Sequence, residues 1–93
     1  MKTRLESILK NEGNILIDDV FAFFENTEDI ILIKYDGVRK GNNYTIVLMS
    51  KDSIFEPIRY EGNNIQIGIY KVLSKYSELM WWTPPFVGGC EIE

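Results

Sequence analysis

Apolar residues in this chain change their spacing twice, from a helical period to strand-like runs and back to a helical period. In the first ten residues Leu5, Ile8 and Leu9 make an apolar stripe. Thr3 stands where an N-cap would, and Glu6, three residues on, completes a capping box. Gly13, between Asn11 and Asn14, supplies a stop. A second helix is predicted from about Ile15 to Glu25. Leu16, Val20, Phe23 and Phe24 recur there at helical spacing, and Ile17 and Phe21 extend the face. Either Asn14 or Asp18 caps it, and Ile15 to Ile17 is the alternative place for a brief strand.

From Asp29 the pattern becomes β-branched. Ile30 to Tyr35 and Tyr44 to Met49 are two such runs, separated by Asp36-Gly37 and a polar stretch, which reads as an antiparallel hairpin. Its loop is longer than a two-residue turn, so Arg39 and Lys40 are expected to project into solvent. A third strand is predicted over Ile54 to Tyr60. Pro57 cannot donate to a ladder, which assigns that strand to a sheet edge or a bulge. Glu61 to Asn64 reads as a turn.

The period then returns to helical through Ile65, Ile69, Val72, Leu73, Tyr76 and Leu79 or Met80, with Gly68 as a weakening residue. Pro84 and Pro85 stop any helix by Thr83, leaving an extended tail anchored by aromatic groups. The expected fold class is therefore α+β: two N-terminal helices, a three-stranded antiparallel sheet made of a hairpin plus an edge strand, a C-terminal helix and the tail. The length of 93 residues fits one domain over residues 1 to 93.

Composition narrows the function. The apolar share of 45% fills one core, and the net charge of −4 is too small to argue for disorder. The longest apolar blocks, Ile30 to Ile33 and Ile46 to Met49, fall far short of the roughly 20 residues of a membrane span. The basic start at Lys2 and Arg4 has no apolar region after it, so no export signal is visible and a cytoplasmic location is expected. Cys90 is the only cysteine, which forbids an intramolecular disulfide and agrees with a reducing compartment. It reads as a small space-filling residue, or else as a free surface thiol.

Histidine is absent altogether. That removes Ser-His-Asp and Cys-His nucleophilic arrangements, and mixed His and Cys zinc sites with them. Any enzyme would have to work through carboxylates, lysine or tyrosine. Asp18 and Asp19 point about 100° apart on a helix, and Asp18 and Glu25 lie roughly 10 Å apart along its axis. No DxD motif, phosphate-cradling loop or EF-hand spacing accompanies them, and Gly88-Gly89 lacks the strand-loop-helix setting of a phosphate site. A carboxylate enzyme using a divalent ion is the remote reading, and no cofactor or resident metal is expected.

Charge is the most unusual feature. Between Asn11 and Ile33 there are six acids, Glu12, Asp18, Asp19, Glu25, Glu28 and Asp29, with no lysine or arginine. The first ten residues carry three bases and one acid, and Lys34 to Tyr60 carries five bases and three acids. A concentrated negative stretch steers basic partners and raises their association rate. The same acids also suit a plain solvated helix face, and Asp18 and Asp19 complement a helix N-terminus. Because the chain is acidic, Arg39 and Lys40 do not make it a nucleic-acid binder. The tandem Trp81 and Trp82, with Phe86 nearby, read first as core packing; the other reading puts one in the core and leaves the other exposed as a binding anchor.

In size, acidity, lack of an export signal and absence of catalytic groups, the chain resembles bacterial immunity proteins that neutralise a cognate toxin. The likeness is one of general character without a shared motif, and it carries over no residue roles. It implies a protein that covers the basic, phosphate-holding surface of a nuclease-like partner. On that reading Glu12, Asp18, Asp19, Glu25, Glu28 and Asp29 meet the partner, with Trp82 or Phe86 as an apolar anchor. The alternative is a homodimeric regulatory or structural module of a phage or mobile element, joined by the third strand or the apolar tail.

Overall fold

A computed structural model describes residues 2–81; residue 1, the side chain of Lys2 and residues 82–93 lie outside the described part, and with them the expected tail with Trp82, Phe86 and Cys90. The chain folds as α1 (Lys2–Leu9), α2 (Ile17–Phe24), β1 (Ile30–Tyr35), β2 (Tyr44–Met49), β3 (Ile58–Gly62) and α3 (Ile65–Trp81). The α+β class holds, with the three strands antiparallel in the order β1-β2-β3. Among the described residues both β1 and β3 are therefore edges.

Alternation along the strands sorts the sheet into two faces. Ile46 and Leu48 point inward and are fully buried. Their register partners Ile33, Ile31, Tyr60 and Ile58 share that face and are half-buried. All three helices lie on this side. Helix α3 spans β2 and β3, while α2 contacts β1 and α1 bridges the two helices. The core draws Leu5 and Ile8 from α1, Ile15 from the link, Val20, Phe23 and Phe24 from α2, and Ile69, Val72, Leu73 and Tyr76 from α3. The other face of the sheet has no layer over it among the described residues.

Several boundaries differ from the sequence expectation, each for a local reason. Helix α1 starts at Lys2, so Thr3 lies inside its first turn and forms no capping box. Gly13 does end the turn that follows, at φ +88°, where a side chain would be strained. Helix α2 begins two residues late, with Leu16 in extended conformation at its N-cap and no side-chain cap bond. Ile15 is buried ahead of the helix because Gln66 of α3 clasps its backbone. The Gln66 amide donates to Ile15 O at 2.8 Å, and its carbonyl oxygen accepts from Ile15 N–H at 2.7 Å.

The third strand starts at Ile58 instead of Ile54. Residues 50–57 turn back on themselves first, with Ser53 at φ +56°, Ser53 N–H donating to Ser50 O, and Ile54 N–H donating to Ser50 Oγ. Glu61 and Gly62 extend that strand, and only Asn63 and Asn64 turn. Asn64 is the N-cap that the turn reading missed: its Oδ1 accepts from Gln66 N–H at 3.0 Å and Ile67 N–H at 3.2 Å.

Candidate protein-binding surface

The six acids of the N-terminal segment do not share one fate. Helix α2 turns 100° per residue, which sets Val20, Phe23 and Phe24 on the core side and leaves Asp18, Phe21, Ala22 and Glu25 on the opposite arc. Asp18, Asp19 and Glu25 are exposed, as is Glu12 in the turn before the helix. Among the described residues none of these four carboxylates is in an ion pair, and none accepts a side-chain hydrogen bond. Asp18 and Asp19 sit in the first turn, where the positive end of the helix dipole favours them.

The other two acids are engaged within the fold. Glu28 forms an ion pair with Lys51, both side chains lying at the surface. Asp29 is a structural hub. Its Oδ2 accepts from the Tyr76 hydroxyl at 2.7 Å, its Oδ1 from Lys51 N–H at 3.4 Å, and its own N–H donates to Thr27 Oγ1 at 3.1 Å. Burial, reinforced by the bond to Asp29 and by its charge, pushes the Tyr76 phenol above the ordinary tyrosine range. Glu28 and Asp29 thus tie the α2–β1 link to the 50–57 turn and α3, and take no part in an open carboxylate surface.

Two apolar side chains assigned to the buried face by spacing lie instead among the free acids. Leu16 at the N-cap is 65% exposed and Phe21 is 41% exposed. Phe21 stands one turn from both Asp18 and Glu25, at i−3 and i+4. Phe21 is exposed because the 100° step turns it away from the Val20, Phe23 and Phe24 face, and Leu16 because it stands in extended conformation ahead of the helix. The α2 surface is therefore a carboxylate arc with an aromatic inlay.

Glu12 and Gly13 face α3 across a cleft of about 470 Å³ that Asn64, Gln66, Ile67, Tyr70 and Lys71 complete. Neither Gln66 nor Asn64 was marked by sequence spacing. The signal available was a polar pair at the start of a strongly periodic helix. At the far end of the sheet Arg39 and Arg59 both contact Glu61, and their guanidinium bonds hold its carboxyl below the usual carboxylate range. Arg39 is exposed as expected, but it lies across to β3. Trp81 is half-buried and edge-on to Tyr76, with ring centroids 6.0 Å apart.

Among the described residues no group of three or more Asp, Glu, Cys or His comes together to hold a metal, and no helix is long and apolar enough to cross a membrane. Comparison of the chain with protein-family models, curated proteins and solved structures gives no match.

Proposed function

We propose that this chain is a small acidic binding protein that docks through the α2 arc onto the basic surface of a protein partner. In the general manner of immunity proteins, the partner would be a toxin domain whose phosphate-holding surface is covered and so silenced. The reading rests on one observation: among the described residues Asp18, Asp19 and Glu25 are exposed without ion partners, and Leu16 and Phe21 are exposed beside them. Acids that only solvate a helix need no apolar company. Carboxylates flanking an exposed aromatic supply both elements of an interface, long-range steering and a desolvating anchor. Glu28 and Asp29 leave the interface on this account, because their carboxylates already serve the fold.

The test separates the two elements. Reversing Asp18→Lys, Asp19→Lys and Glu25→Lys together is expected to slow association with the product of the neighbouring gene by about 10- to 100-fold at low salt. Phe21→Ala is expected mainly to speed dissociation. Loss of protection in cells expressing that product would accompany both. If both variants keep their helical signal and bind as the parent does, the α2 arc is not the interface.

A further inference from the structure

The four consecutive aliphatics Ile30 to Ile33 open β1, yet none of them is fully buried. Ile30 and Leu32 point to the bare face of the sheet and are 50% and 51% exposed, while the inward Ile31 and Ile33 are only half-buried. Across β2, Val47 stands opposite Leu32 and Met49 opposite Ile30, so the patch continues onto the second strand.

Among the described residues no strand pairs with the edge beside this patch. Asp36 N–H donates to Asn43 O at 2.8 Å, which continues the β1–β2 ladder and fixes its parity. By the antiparallel alternation, residues 30, 32 and 34 turn their backbone groups toward β2, and residues 31, 33 and 35 turn theirs toward the free side. The strand has no proline, and its one charge, Lys34, lies on the bare face. The opposite edge, β3, is guarded: Pro57 precedes it, and Arg59 and Glu61 charge the strand, with Arg39 paired to Glu61. Natural sheets blunt exposed apolar edges by such devices, and on β1 Lys34 is the single one.

We propose that β1 pairs antiparallel with β1 of a second copy of this chain, on a two-fold axis through Ile31, to make one six-stranded sheet. Self-complementarity selects both the occupant and the register. With Ile31 opposite its twin, Ile30 meets Leu32 of the second copy on the bare face, and the two patches fuse. Lys34 then comes beside Glu28 of the second copy, twice by symmetry, and shares that exposed carboxylate with Lys51 of the same copy. Moving the axis to Leu32 sets Ile30 against Lys34 and Glu28 against Asp36, like charge beside like, which disfavours that register. The surface is separate from the α2 arc, and the pairing stands or falls independently of any basic partner.

Sedimentation of the full chain over a concentration series tests the pairing. Wild type is expected to dimerise reversibly, and Leu32→Lys to remain a monomer with unchanged circular dichroism, since that position is already half in water. Lys34→Glu is expected to weaken the dimer by about tenfold, and Glu28→Lys added to it to restore most of the loss. A wild-type chain that stays monomeric at every concentration overturns the proposal. So does a dimer indifferent to Leu32→Lys and Lys34→Glu, which would mean that another surface joins the copies. Failure of the charge swap to restore a weakened dimer overturns the register through Ile31.

Discussion

The Tyr76 side chain is where three segments far apart in sequence meet. Its ring packs edge-on against Phe23, Phe24, Phe55 and Trp81, with centroid distances from 5.3 to 6.4 Å, and its hydroxyl reaches Asp29. Tyr76→Phe keeps the ring and leaves a partly buried carboxylate without its best donor, so we expect a loss of about 1–3 kcal/mol in chemical denaturation. The phenol also gives a pH signature. Its pKa in the folded state lies above the unfolded value of about 10, so the stability it contributes is present below pH 10 and is lost as pH rises beyond that point. Wild type is expected to lose more stability than Tyr76→Phe between pH 9 and pH 11, both read by denaturant midpoint; parallel curves would contradict the linkage. At this scale the sequence shows which residues are acidic but not which are free. Glu28 is neutralised by Lys51 and Asp29 is held by Tyr76, partners that lie 23 and 47 residues away. No local pattern signals them.

Whole elements are far more legible than their ends. Helix α3 was readable because an apolar period of four turns survives every irregularity inside it, and the hairpin because two β-branched runs flank a glycine-bearing loop. The boundaries of α2 and β3 escaped for different reasons: a tertiary contact, the Gln66 clasp on Ile15, delays one, and a local turn from Ser50 to Ser53 without a glycine to signal it delays the other. Gly68 shows how tertiary context reverses a propensity argument. In an exposed helix Gly→Ala would gain about 1 kcal/mol. Here a Cβ would fall 2.9 Å from Ile46 Cδ1 and closer still to the Tyr60 ring, because α3 and β3 approach closely at this position. Gly68→Ala is therefore expected to destabilise by about 1–3 kcal/mol, the cost of overpacking. Removing the obstacle provides the control. In a Tyr60→Leu background the same substitution should cost less, and thermal melts of the four proteins give the coupling directly. If Gly68→Ala raises the melting temperature, the close packing of α3 on Tyr60 is not what holds that glycine in place.

At the scale of the molecule, a small chain with every described helix on one face of its sheet has a second face it cannot cover from its own described elements. The two proposed surfaces follow from that asymmetry, the α2 arc on the helical side and β1 at the edge between the sides. They also interact electrostatically. A two-fold axis perpendicular to the sheet keeps both copies of α2 on the same side, and α2 lies against β1, so pairing brings the two sets of free acids toward each other. Their repulsion opposes the dimer and is screened by salt, since the Debye length falls from about 30 Å at 0.01 M to about 8 Å at 0.15 M. Asp18→Asn, Asp19→Asn and Glu25→Gln made together are therefore expected to tighten the dimer severalfold at low ionic strength, with the advantage fading as salt is added. A basic partner seated on α2 would act in the same direction as the neutral variant. By linkage, the dimer would then bind that partner more tightly than the monomer does. Sedimentation at two salt concentrations decides the first part with no partner present. Equal dimer affinities for wild type and the neutral variant at low salt would mean that the acid faces are not brought together, and the β1 pairing could not stand as described.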